Sequence, residues 1–185
     1  MHETFIVIKP PKEINMKKVF LVTLSALLLV STLFAGTVSI ARAKGPKLLK
    51  FDAMVGVPAG LTGAQSQIPL RGINGGGIAW TIGEASGELR ANGHLEITVQ
   101  GLVLAAGANA GSNPSAVFRG LVSCVRSDGS FENILTDAFP ATTGPASTGG
   151  GTATIVTDVV LPQPCIAPII FVTSNTGSWF AATGL

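Results

Sequence analysis

The sequence predicts an all-β fold, an antiparallel β-sandwich of about 7–9 strands, from three observations. Runs rich in β-branched and aromatic residues recur at short intervals, separated by turns built from Gly, Pro, Asn and Ser. Beyond residue 43 no helical apolar period is sustained. Two cysteines, Cys124 and Cys165, stand in strand-like surroundings and read as one disulfide between central strands, a familiar tie between the two sheets of a sandwich. A closed β-barrel is the alternative arrangement of the same strands.

The N-terminal part is read as a targeting segment. Met16-Lys17-Lys18 precede an uncharged apolar run over residues 19–40, and Ala41-Arg42-Ala43 follows it. A basic start, an apolar core and small residues at the cut define a secretory signal peptide, here residues 16–43 with cleavage after Ala43. Residues 1–15 fit no part of that pattern and read as a non-native upstream extension, with Met16 as the start. The alternative is an uncleaved membrane anchor, because residues 19–40 are long enough to span a bilayer. Arg42, Lys44, Lys47 and Lys50 put positive charge beyond the run as well as before it, which weakens the orientation that the positive-inside rule would set. The membrane enters this reading only through that uncleaved segment.

Residues 44–185 then form a single domain. That stretch carries seven Lys and Arg against eight Asp and Glu, so the net charge of +2 belongs to the precursor and its leader. A nearly neutral domain with scattered charges lacks the electrostatic footprint of a nucleic-acid binder. No partner of any other kind is specified.

Taken in order, residues 47–57 alternate loosely on Leu49, Phe51, Ala53 and Val55 and predict a first strand. A loop rich in Gly, Pro, Gln and Ser runs from 56 to 77 and ends in Gly75-Gly76-Gly77; loops of this length are often functional. No Gly-Lys-Ser/Thr follows those glycines, so they read as a tight return into the sheet rather than a phosphate cradle. Residues 78–91 and 94–104 predict a hairpin whose Asn92-Gly93 suits a type I′ turn, with Gly83 and Gly87 marking a bulge or break in the first arm. In the second arm Leu95, Ile97, Val99 and Val103 predict the core face, and Glu96, Thr98 and Gln100 the water face.

Residues 105–115 read as a small-residue loop. Residues 116–126 predict a strand with Phe118, Gly120, Val122 and Cys124 inward. A turn at Ser127-Asp128-Gly129 leads to a short strand over 131–136, a Gly, Thr and Pro loop over 140–151, and extended chain from 152 to 161. Prolines 162, 164 and 168 keep the approach to the next strand extended. The hairpin over 169–183 brings Phe171 within reach of Trp179 or Phe180. A bond from Cys165 to Cys124 would close a loop of about 40 residues, a constraint of roughly 4 kcal/mol in the chain-entropy picture.

Groups able to do chemistry are sparse. His94 is the one histidine beyond residue 43, beside the hairpin turn, and a lone imidazole makes a poor metal site. Ser147 has Gly149 after it but Pro145 where a nucleophile elbow needs glycine. Glu84 and Glu88 share a strand face roughly 13 Å apart, wider than either glycosidase geometry. Asp137 and Asp158 border loops without an Asp-x-Asp pattern for calcium. No catalytic residue, metal ligand or cofactor is therefore assigned. Arg71, Trp80 and Trp179 are the binding candidates, since Arg and Trp anchor recognition surfaces, against the alternative that both tryptophans fill the core.

Gly87-Glu88-Leu89, His94 to Leu104, Phe139-Pro140-Ala141-Thr142, Leu161 to Pro168 and Trp179-Phe180-Ala181 together resemble a group of exported bacterial β-rich proteins of unassigned function. That resemblance spans most of the domain and implies a fold and a destination. Gly93 to Leu102 is similar to the Leu-x-Val-x-Val-x-Gly-Leu strand of secreted CHRD modules; the His-x-His that such modules often carry is absent here, so no site is carried over. The expectation is a non-enzymatic binding or structural module at the cell surface or in the medium. An apolar-ligand carrier built on a barrel cavity and a hydrolase of unrecognised type are the alternatives.

Overall fold

The computed structural model describes residues 45–62 and 69–184. The upstream and signal segments, with residues 63–68 of the glycine-rich loop, lie outside the described residues. The strands in chain order are β1 (Lys47–Phe51), β2 (Val55–Gly56), β3 (Trp80–Thr81), β4 (Glu84–Arg90), β5 (His94–Gln100), β6 (Val103–Leu104), β7 (Ser112–Asn113), β8 (Val117–Val125), β9 (Phe131–Pro140), β10 (Gly144–Pro145), β11 (Ala153–Asp158), β12 (Ile166–Thr173) and β13 (Trp179–Ala182). The helical turns among the described residues are two short 3-10 segments, Ala59–Leu61 and Ala146–Thr148.

Nine strands build two antiparallel sheets. One has the order β1-β4-β5-β11 and the other β2-β13-β12-β8-β9, while β3·β6 and β7·β10 form two-residue ribbons beside them. Neither main sheet closes on itself, so the strands form the sandwich and not the barrel. The described residues belong to one unit, Lys44–Leu185.

Alternation decides which side chains meet between the sheets. Leu95, Ile97 and Val99 of β5, with Leu89 of β4 and Ile155 of β11, are fully buried on one side. Phe118, Val122 and Cys124 of β8, with Ile170 and Val172 of β12, are fully buried on the other. Gly120 marks where the sheets touch, since a Cβ there would lie 3.1 Å from Ile97 Cδ1 and 3.3 Å from Leu95 Cδ2. At one end Trp80 stacks on Phe180 with ring centroids 3.9 Å apart, and Phe118 meets Phe180 edge-on at 5.9 Å. Each such side chain contributes about 1.5–3 kcal/mol by leaving water.

Four details depart from the sequence reading. Residues 47–57 are two strands in different sheets, because the chain turns out of β1 at Asp52 and crosses to β2; Phe51 is buried and Val55 exposed, so they do not share a face. The hairpin arms also break in two: Gly83 ends the ribbon strand β3 before β4 begins, and Gly101 with Leu102 separates β5 from β6. The Asn92-Gly93 turn is not type I′. Gly93 alone takes positive φ, +89°, and its N–H bonds Arg90 O at 2.9 Å, which makes a three-residue loop of a type I turn followed by a left-handed residue. Glycine is required there on a second count, because a Cβ would fall 1.9 Å from Val159 O. The strand expected over 131–136 continues to Pro140, paired along the length of β8.

The disulfide exists, with Cys124 fully buried, but it does not tie sheet to sheet. β8 and β12 are neighbours in the five-stranded sheet, with Ile166 opposite Val125, so the bond crosses from β8 to the residue before β12. It pins the β12–β13 hairpin to the central strand. On the other face of that hairpin Phe171 and Trp179 meet edge-on at 6.0 Å, as the spacing predicted.

Replacing Cys124 and Cys165 together by alanine removes a cross-link of sequence separation 41 and is expected to cost about 4 kcal/mol. Urea unfolding reads that loss as a lowered midpoint. A loss below about 1 kcal/mol would show that strand pairing alone sets the position of β12.

Candidate functional site

The three binding candidates of the sequence do not form a common surface. Trp80 is buried in the core stack. Trp179 is also buried, against Phe171, with its backbone held on both sides: its N–H bonds Asn74 O at 3.0 Å and its carbonyl accepts from Gly76 N at 2.8 Å. Arg71 lies over the outer face of the five-stranded sheet. Its guanidinium donates to Ser123 O at 2.9 Å and Ala167 O at 2.8 Å and sits 5.4 Å from the centre of the Phe131 ring. Burial pulls the Arg71 pKa below its ordinary value. Asn133 returns a bond to Arg71 O at 3.1 Å.

Arg71 is therefore a clasp, its guanidinium donating to this chain's own backbone carbonyls. The described part of the 56–77 loop roofs the sheet that Arg71 holds. Gly76 instead runs along β13, bonded to Trp179 O, where a Cβ would meet the Phe180 ring at 2.9 Å and Trp80 Nε1 at 3.1 Å, so the chain passes only where a side chain is missing. The tight-return reading of the triple glycine agrees with this geometry.

The outer face of the four-stranded sheet is organised differently, and one half of it pairs its own charges. Glu88 takes Lys47 Nζ at 2.6 Å and pairs with Arg90. The Lys47 hydrogen bond, with Arg90 adding to it against some desolvation, holds the Glu88 carboxyl below the usual carboxylate range. His94 sits between two carboxylates, with Nε2 2.9 Å from Glu96 Oε1 and Nδ1 3.0 Å from Asp158 Oδ1. A neutral imidazole has one N–H to offer, whereas the imidazolium satisfies both acceptors. The bond to Glu96, then that to Asp158, accordingly raises the His94 pKa above its ordinary value, against a smaller opposing effect of burial. This bracket joins β5 to edge strand β11, and Val159 N–H bonds Gly93 O at 2.9 Å beside it.

The other half is open. An open cleft of about 320 Å³ is lined by Asp52, Ala53, Met54, Ile82, Gly83, Glu84, Ala85, Ser86, Thr98 and Gln100. The pairing of β4 with β5 sets Ser86 opposite Thr98 and Glu84 opposite Gln100, and the turn out of β1 brings Asp52 alongside. Among the described residues, none of the side chains of Asp52, Glu84, Ser86, Thr98 and Gln100 is hydrogen-bonded to another residue. Glu84 and Glu88 thus part company, one in the cleft and the other in an ion pair.

The sequence pattern marked Thr98 and Gln100 only as a water face. What it lacked was Asp52, whose place depends on the crossing between sheets that a continuous first strand hides. Ser147 is exposed in the second 3-10 segment, and Asp137 lies on β9. Among the described residues no group of three or more His, Cys, Asp or Glu side chains is arranged to hold a metal ion.

Comparison of the chain with protein-family models, with curated proteins and with solved structures found no match.

The His94 bracket has a defined pH dependence. Because its folded pKa is raised, its stabilisation is fully present below the unfolded histidine value of about 6.5 and is lost as pH rises through the folded value. Thermal melts of the protein and His94→Gln should differ most near pH 6, by about 0.5–1 kcal/mol, and converge by about pH 9. A constant difference across that range would refute the charged bracket. Arg71→Lys should destabilise nearly as much as Arg71→Ala, about 2–3 kcal/mol by chemical denaturation, because an ammonium does not reproduce the two-carbonyl fork.

Proposed function

We propose that this chain is exported and acts outside the cytoplasm as a non-enzymatic β-sandwich module, binding or structural in its work. The observation that carries the reading is the Cys124–Cys165 disulfide, since such bonds persist in oxidising compartments. The signal-peptide pattern over residues 16–43 supports it from the sequence side, and the cut expected after Ala43 coincides with the start of the structural unit at Lys44. Among the described residues no helix is long and apolar enough to cross a membrane.

The commitments of the reactive groups favour binding over catalysis. His94 is held by two carboxylates, Glu88 by two cations, and both cysteines by each other. The apolar-carrier alternative needed a closed barrel, and two open sheets packed on a filled core favour the module instead. A hydrolase of unrecognised type is tested by activity: turnover of a glycoside or ester substrate, abolished by one carboxylate substitution, would overturn the non-enzymatic reading.

Export is tested by expressing the full precursor in an export-competent bacterium and weighing the product. The expected species is extracytoplasmic, begins at Lys44 and is lighter than the reduced chain by two hydrogens. A product that keeps residues 19–40 in the membrane, or a reduced one confined to the cytoplasm, would contradict the proposal.

A further inference from the structure

We infer that the cleft on the outer face of the four-stranded sheet binds a saccharide without negative charge, its Asp52, Glu84, Ser86, Thr98 and Gln100 side chains taking the sugar hydroxyls. The inference rests on reading the chain as an exported binding module and adds the class of ligand.

Size comes first. At about 320 Å³ the cleft lies at the small end of ligand clefts, which run to about 1,000 Å³, and it suits one sugar ring or two. Its chemistry is that of a polyol's complement. Carboxylates accept hydrogen bonds, an amide accepts and donates, and the Ser and Thr hydroxyls do both, so neighbouring sugar hydroxyls find partners of each kind. Ala53 and the half-buried Ile82 add a small apolar surface suited to the C–H face of a pyranose, while Met54 and Ala85 form its floor from the core side.

Charge then narrows the class. The lining holds Asp52 and Glu84 and no Lys, Arg or His. A uronate or sulfated sugar would face two carboxylates with no counter-charge, whereas a neutral or aminated sugar meets no such penalty. The contrast along the same face is the decisive point. Lys47, Glu88, Arg90, His94, Glu96 and Asp158 are all engaged with one another, while the five cleft side chains are not engaged with the protein at all among the described residues. Four of the five stand on paired strands or at their ends, in positions fixed by the β4–β5 register, as a preorganised site requires.

The test is calorimetric titration of the processed, oxidised protein with cellotetraose, with the tetramer of glucosamine and with trigalacturonate. Binding of either of the first two, and weaker or no binding of the third, is expected. Glu84→Ala and Thr98→Val should each weaken binding about tenfold with an unchanged melting temperature, since neither side chain holds the fold, and Lys50→Ala, outside the cleft, should change nothing. No binding of either sugar, preference for the galacturonate, or affinity indifferent to both cleft variants would overturn the inference. So would calcium binding lost in Glu84→Ala without any sugar response, which would make the cleft a cation site. Failure of the sugars leaves export to be decided by the mass at Lys44, so the two readings fall separately.

Discussion

The structure depends on burying β8 from both sides. Its inward residues Phe118, Val122 and Cys124 are sealed by the four-stranded sheet, and its outward residues Leu121 and Ser123 are buried as well. A central strand without a water face needs a second cover, and a two-sheet sandwich supplies only one. The second cover is the loop that carries Arg71, drawn down by bonds to Ser123 O and Ala167 O. Cys124–Cys165 then fixes the neighbouring strand at the same end, close to where Arg71 reaches Ala167. Loop, cross-link and strand reinforce one end of the sheet, at the residual cost of a buried Ser123 hydroxyl without a partner.

That arrangement divides labour between the two outer faces. The five-stranded sheet spends its outer face on stability: Phe171 and Trp179 lie there under the loop, and the aromatic anchors that would suit a ligand are consumed by the core and the roof. The four-stranded sheet keeps its outer face in water. Half of that face balances its own charges, and half presents carboxylates, hydroxyls and an amide to whatever arrives. Such a face adds little to folding, so it is free to be shaped by a ligand.

Much of the fold was legible because alternation is a local signal. Leu95, Ile97 and Val99 announced a core face, the partnership of Cys124 with Cys165 followed from there being two cysteines, and the Phe171–Trp179 contact followed from hairpin spacing. What was not legible is which strands share a sheet. Asp52 to Met54 carries the chain from one sheet to the other, a non-local event that leaves no period in the sequence, so alternation alone sets Phe51 and Val55 on one face and gives no sign that Asp52 lies beside β4 and β5. The same gap misdirected the reading of Arg71 and the tryptophans. Residue type marked them as anchors for a ligand, but the groups they anchor belong to this chain. The disulfide follows the same rule, because two cysteines in a chain fix a pair but not whether their strands are neighbours in one sheet.

The division of faces is tested most directly by mapping backbone amide shifts of the oxidised protein during titration with an uncharged or aminated oligosaccharide. Shifts confined to Asp52–Met54, β4 and β5, centred on Ser86, Thr98 and Gln100, are the expected result. Shifts centred instead on Arg71, Phe131 and Trp179 would place the working surface on the five-stranded sheet and contradict the division.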